Sequence, residues 1–117
     1  MAGLSTHILD TAKGGPAAGV RVELFELLDD QRRLICDTVT NEDGRTDTPL
    51  LSADQMQSGT FEIHFHIGSY FTGDTMAENQ SGFLGIVPVR FTISDPAQHY
   101  HVPLLASPWS YTTYRGS

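Results

Sequence analysis

The chain has 117 residues, 39% of them hydrophobic and 18% charged, which makes it one domain with its own core, too short for two and too apolar for a disordered tail. Fourteen acidic residues against seven basic ones give a net charge of -7, a poor match for a phosphate backbone, so no nucleic-acid partner is expected. The single cysteine, Cys36, excludes an intramolecular disulfide framework. No apolar run approaches the ~20 residues of a membrane-spanning helix. The N-terminal segment MAGLSTHILD lacks the basic and apolar regions of a secretory signal, so no membrane partner and a cytoplasmic location are expected.

Taken in chain order, the predicted elements are short strands broken by Gly, Pro, Asn and Asp. Leu4–Leu9 is the first. Lys13-Gly14-Gly15-Pro16 reads as a tight turn. Val20–Leu28 alternates Val20, Val22 and Leu24 against Arg21, Glu23 and Phe25, and Asp29-Asp30-Gln31 connects it to Leu34–Val39. Asn41-Glu42-Asp43-Gly44 is a second turn, with Gly44 suited to a positive φ. Phe61, Ile63, Phe65 and Ile67 alternate with Glu62, His64 and His66, the clearest period of two in the chain. Residues Gly68–Gly82 show no alternation, and a short helix is predicted there. Val87–Ile93 resumes the strand pattern, with Pro88 confined to a strand start or an edge. Gln98–Ala106 and Trp109–Tyr114 follow, with a corner at Ser107-Pro108. Short strands at close spacing with one small helix predict an all-β sandwich, and pattern alone leaves a small barrel open.

Several polar residues stand out from this frame. His7 sits inside an apolar strand and shares a face with Ser5 and Leu9. A lone strand histidine is most often structural. Arg45 follows a tight turn. An arginine there is usually solvated, yet its planar fork suits a carboxylate or an imide oxygen pair. His99 and His101 share one strand face about 7 Å apart, and His64 and His66 form a second such pair. Imidazole pairs serve metal binding or proton transfer near neutral pH. A metal site needs three or four ligands, and no third partner stands at a fitting spacing, so no metal is expected. His64 and His66 lie on the polar side of their strand and read as a solvated face. The tail Tyr111-Thr112-Thr113-Tyr114-Arg115-Gly116-Ser117 is unusually rich in polar and aromatic groups for a terminus.

The segments Leu4-Ser5-Thr6-His7-Ile8-Leu9-Asp10, Gly15-Pro16-Ala17, Thr40-Asn41-Glu42-Asp43-Gly44-Arg45, His99-Tyr100-His101-Val102-Pro103-Leu104-Leu105 and Tyr114-Arg115-Gly116-Ser117 resemble, in order and spacing, the 5-hydroxyisourate hydrolases, the transthyretin-like proteins of purine degradation. The likeness spans essentially the whole chain as a single domain. The terminal tetrapeptide separates these hydrolases from the hormone carrier of the same fold. Two loop positions depart from the family pattern: Ser110 stands where a glycine is usual, and Phe83-Leu84-Gly85-Ile86 replaces a Phe-Phe-Pro-Glu-like segment.

The resemblance implies a transthyretin-like sandwich of two four-stranded antiparallel sheets with one short helix. It also implies a homotetramer, a dimer of dimers with active sites between facing dimers. The implied reaction is cofactor-free hydrolysis of 5-hydroxyisourate to 2-oxo-4-hydroxy-4-carboxy-5-ureidoimidazoline. The family pattern places His7, Arg45, His101 and Ser117 in catalysis, and His7, Arg45, His99, Tyr114, Arg115 and Gly116 against the substrate. His7 and His101 are expected to bracket the attacking water, with His101 as base, Arg45 as ring clamp, and Ser117 orienting water or a histidine. The competing reading is a transthyretin-type carrier of a small aromatic ligand, for which apolar lining is expected instead. A third is an adhesive sandwich with no ligand.

Overall fold

The computed structural model describes residues 2–73 and 83–116. Among the described residues eight strands form two four-stranded sheets. The first sheet has the order β2-β1-β7-β8, made of β1 (Gly3–Asp10), β2 (Gly15–Pro16), β7 (His99–Ala106) and β8 (Tyr111–Thr113). The second has the order β4-β3-β5-β6, made of β3 (Arg21–Leu27), β4 (Arg32–Val39), β5 (Gly59–His66) and β6 (Ile86–Ile93). A helix α1 (Ile67–Thr72) closes on Gly73 at φ 71°, the left-handed stop that glycine adopts without a steric penalty.

The period-two segments became strands because alternation lets one face leave water. Leu4, Ile8, Tyr100, Val102 and Leu104 from the first sheet are buried, as are Val22, Leu24, Ile63, Phe65 and Val87 from the second. Each large side chain fully buried this way contributes about 1.5–3 kcal/mol. Thr6 is the polar exception on the inner face of β1, and its hydroxyl donates to the Val102 carbonyl at 2.7 Å.

Four expectations need correction. The sheets are not wholly antiparallel, because β1 and β7 run parallel, Gly3 opposite His99 through Asp10 opposite Ala106. These strands are far apart in sequence, so no hairpin constrains their direction. Gly15–Pro16, read as part of a turn, is a two-residue edge strand on β1, and Pro16 is tolerated because its missing N–H falls on an edge. Ile67 starts α1 rather than ending β5. The predicted helix over Gly68–Gly82 is present as far as Thr72, and residues 74–82 lie outside the described residues.

The fourth correction concerns His64 and His66, which are not solvated. His64 is buried, shares a 2.7 Å hydrogen bond with Glu62 and packs on the Phe25 ring. His66 pairs with Glu23 at 2.7 Å. The outer face of the second sheet is thus a lattice of ion pairs and aromatic contacts, in which the polar residues of the alternation satisfy one another.

Candidate active site

The outer face of the first sheet carries a different group. Alternation on β1 sends Leu4, Thr6 and Ile8 inward and Ser5, His7 and Leu9 outward. On β7 it sends Tyr100, Val102 and Leu104 inward, which leaves His99 and His101 outward. The parallel register sets Gly3 beside His99, Ser5 beside His101 and His7 beside Pro103. Ser5 therefore stands between the two β7 imidazoles, at 2.8 Å from Nδ1 of His101 and 3.2 Å from Nε2 of His99. His7 lies one step further along the same face, ~7 Å on by strand geometry.

Arg45 is delivered to this face by the turn that precedes it. The Asn41 side-chain oxygen accepts the amides of Asp43 and Arg45, and the Gly44 amide donates to the Asn41 carbonyl. Gly44 adopts φ 76°, and its carbonyl accepts the Ile8 amide at 2.8 Å. An isolated bridge joins His7 to Arg45, and His7 Nε2 donates to the Asp43 carbonyl at 2.9 Å. A carbonyl accepts only, so this bond fixes the His7 proton on Nε2. His7, Leu9, Pro16, Asp43 and Arg45 line a shallow recess of about 310 Å³.

The tail returns to the same strand. The Gly116 amide donates to the His101 carbonyl at 2.8 Å, forming an isolated antiparallel bridge. Ser117, assigned to catalysis by the family pattern, lies outside the described residues.

The structure thus gathers His7, Arg45, His99, His101 and Gly116 on one face. Tyr114 and Arg115 lie elsewhere. Arg115 stacks on the Tyr100 ring at 4.1 Å and donates to the Gln98 side chain and the His99 carbonyl, each at 3.0 Å. Tyr114 is exposed and lines a groove of about 240 Å³ with Val89, Phe91, Tyr100, Val102 and Arg115, at the open edge between the sheets. Both residues fasten or flank the tail. Two members of the site frame were not singled out by sequence reasoning, Ser5 and the Asn41 side chain. The face-sharing of Ser5 with His7 was the available signal for the first.

The electrostatics single out His101. Burial holds its imidazole below the ordinary histidine value, and the positive fields of Arg45, His7 and His99 act in the same direction, against an opposing hydrogen bond to the Ser5 backbone. Its Nδ1 is taken by Ser5, and among the described residues no hydrogen bond reaches Nε2. A neutral imidazole with a free ring nitrogen, beside a guanidinium, can accept a proton from water. Among the described residues no group of three or more His, Cys, Asp or Glu side chains is placed to hold a metal. Larger recesses of about 460 and 570 Å³ lie against the second sheet, among the ion pairs.

With this geometry in view, the comparisons with known proteins are specific. The family model described as HIUase/Transthyretin family matches residues 4–116. The 5-hydroxyisourate hydrolase of Deinococcus radiodurans is 52% identical over 98% of this chain and 96% of its own length. The solved 5-hydroxyisourate hydrolase of Klebsiella pneumoniae superposes with a TM-score of 0.80 at 32% identity, covering both chains fully, 100% of each. Sea bream transthyretin, solved in complex with thyroxine, superposes with a TM-score of 0.84 at 29% identity over 97% of this chain and 93% of its own. The match of family model, fold and near full-length identity makes this chain a member of the HIUase/Transthyretin family.

Proposed function

We propose that this protein is a 5-hydroxyisourate hydrolase. The observation that carries the reading is the outward face of β1 and β7, where Ser5, His7, His99 and His101 meet Arg45. A carrier of an aromatic hormone calls for apolar lining, and this face is polar and titratable. The relatives named as hydrolases also share more sequence with the chain than does the sea bream carrier.

The reaction adds water across a cyclic amide C–N bond of 5-hydroxyisourate. Hydroxide from water joins the ring carbonyl carbon, the C–N bond breaks, and the nitrogen leaves with a proton. The product is 2-oxo-4-hydroxy-4-carboxy-5-ureidoimidazoline. His101 Nε2 takes the water proton and returns it to the leaving nitrogen, a role its low basicity and free nitrogen suit. Arg45 binds the oxygen-rich edge of the ring with its fork and steadies negative charge on the carbonyl oxygen. His7, held as the Nε2–H tautomer by Asp43, presents Nδ1 as an acceptor for water or ring N–H. We assign Ser117 a water-orienting role on the family pattern. The substrate-contacting roles of Tyr114, Arg115 and Gly116 rest on the same pattern.

We further assign the enzyme to the cytoplasm and to a homotetramer, a dimer of dimers. The recess beside His7 is shallow, and a second copy laid across this face would exclude the water that competes with a held substrate. Among the described residues no helix is long and apolar enough to cross a membrane.

The test is direct. With 5-hydroxyisourate generated in situ by urate oxidase, the protein is expected to accelerate its decay, followed by absorbance. An unchanged decay rate overturns the hydrolase reading.

A further inference from the structure

We propose that Ser5 is a positioning residue that sets the tautomer of His101, with His99 as the acceptor that orients the Ser5 hydroxyl. The inference rests on the hydrolase reading for the choice of tautomer and its role in turnover, and on geometry for the contacts of Ser5 with both rings.

A serine hydroxyl has one proton to donate and lone pairs to accept with. Ser5 Oγ faces two ring nitrogens, His101 Nδ1 at 2.8 Å and His99 Nε2 at 3.2 Å. With both rings neutral, the single hydroxyl proton serves one of them, and the other nitrogen must supply its own. If Ser5 donates to His99, then His101 donates Nδ1–H to Ser5, and His101 Nε2 carries the lone pair. If Ser5 donates to His101, then Nε2 of His101 carries the proton and has no lone pair for water.

The base role of His101 selects the first arrangement, which alone leaves a lone pair on Nε2 for the water proton. The Nδ1–H of His101 then donates to Ser5 Oγ, and the hydroxyl proton goes to the more exposed His99. The surroundings fix the ring for this role. The parallel register locks Ser5 beside His101, and Gly116 rests against the opposite part of the ring. When His101 gains the water proton at Nε2, the Nδ1–H···Oγ bond persists, so the ring does not turn before it returns the proton to the leaving nitrogen. No proton needs to travel along the chain of three groups. Ser5 thus stands to His101 as a carboxylate orienter stands to the base of a catalytic triad, with a neutral hydroxyl in place of a charge.

The test reads the tautomer and the kinetics separately. Nitrogen-15 NMR of the native protein, above the pH at which His101 protonates, is expected to show His101 as the Nδ1–H tautomer. Ser5→Ala is expected to give a mixture of tautomers and a kcat about 10- to 100-fold lower, the usual loss when the partner that orients an imidazole is removed, with KM little changed. Ser5→Thr keeps the hydroxyl and is expected to restore both readouts. His99→Phe removes the acceptor and is expected to move His101 toward the Nε2–H form. An Nε2–H tautomer in the native protein, or an unchanged tautomer in Ser5→Ala, overturns the proposal. Because the NMR measurement needs no substrate, its outcome is independent of whether 5-hydroxyisourate is turned over.

Discussion

Gly116 lies so close to His101 that a Cβ added to it would come within 2.7 Å of the imidazole Cδ2, while its amide donates to the His101 carbonyl at 2.8 Å. The tail therefore packs against the proposed base as a flat wall that only glycine provides. Gly116→Ala is expected to push the ring or the tail aside and to lower kcat by about 10²-fold, the scale of a misplacement of ~1 Å at a reacting group. Gly116 is outside the core, so the melting temperature is expected to stay nearly constant. Native turnover in Gly116→Ala would show that the ring does not need this contact.

The position of His101 sets the pH dependence. Burial and then the positive charge of Arg45 hold its imidazole below the ordinary value of 6.5. The neutral, proton-accepting form therefore persists below that pH, and the acid limb of kcat/KM is expected below 6.5. Arg45→Gln removes one of the fields that disfavour the imidazolium. The acid limb is expected to move upward in this variant, alongside the loss of rate from the missing clamp. A downward or absent shift, read from the pH profile of kcat/KM, contradicts the assignment of His101 as base.

The two arginines of the site region are expected to behave differently. Arg45 follows a turn pinned to β1 and bridges His7, whereas Arg115 is spent on the Tyr100 ring, Gln98 and the His99 carbonyl. Arg45→Lys loses a planar fork at the substrate, and kcat/KM is expected to fall by about 10²-fold or more. Arg115→Lys loses a stacking contact that fastens the tail, and a loss several-fold smaller is expected. Equal losses in steady-state kinetics would show that Arg115 contacts the substrate as directly as Arg45.

How much of this was legible in the sequence follows from which signals are local. The alternation at Phe61–Phe65 and Val87–Ile93 reports burial directly, and those strands formed where expected. The face shared by His99 and His101 also follows from period two. Strand direction is not local. Nothing in Leu4–Leu9 or His99–Ala106 announces that they pair in parallel, yet that register alone brings Ser5 to His101. The fate of polar residues is equally non-local. His64 and Glu23 look alike as outward residues of alternating strands, and only the assembled sheet reveals that one imidazole is buried on Phe25 and that the carboxylate serves His66. The family pattern makes Arg115 a site residue, and only the assembled chain shows that among the described residues Gly116 returns to His101 while Arg115 stacks on Tyr100.

Gly44 ties the fold to the site. At φ 76° its conformation is one that side-chain-bearing residues rarely adopt, and a Cβ there would come within 2.4 Å of the Ile8 carbonyl oxygen. Gly44→Ala is expected to destabilise the protein by about 1–3 kcal/mol, the range for a residue forced into a left-handed conformation, and the backbone clash adds to it. Arg45 is the next residue, so the remaining folded protein is expected to lose activity as well. Denaturant unfolding and kinetics on the same sample check both effects. Native stability would mean that the turn can leave β1 without cost.

The second sheet carries an acid-sensitive element far from the chemistry. The hydrogen bond with His64 holds the Glu62 carboxyl below the ordinary glutamate value of 4.5, with Arg90 adding to it and burial opposing. A carboxyl lowered in the folded state contributes stability that is present above 4.5 and is lost as pH falls through its lowered value. Glu62→Gln removes that titration. The variant is expected to be less stable than the native protein near neutral pH and to lose less stability on acidification. Urea unfolding at fixed protein concentration, stepped from about pH 6 to about pH 3, measures the difference, the concentration being held because assembly would shift the midpoint. Parallel stability curves for the two proteins over that range would show that the His64 and Arg90 contacts leave the carboxyl as it is in the unfolded chain.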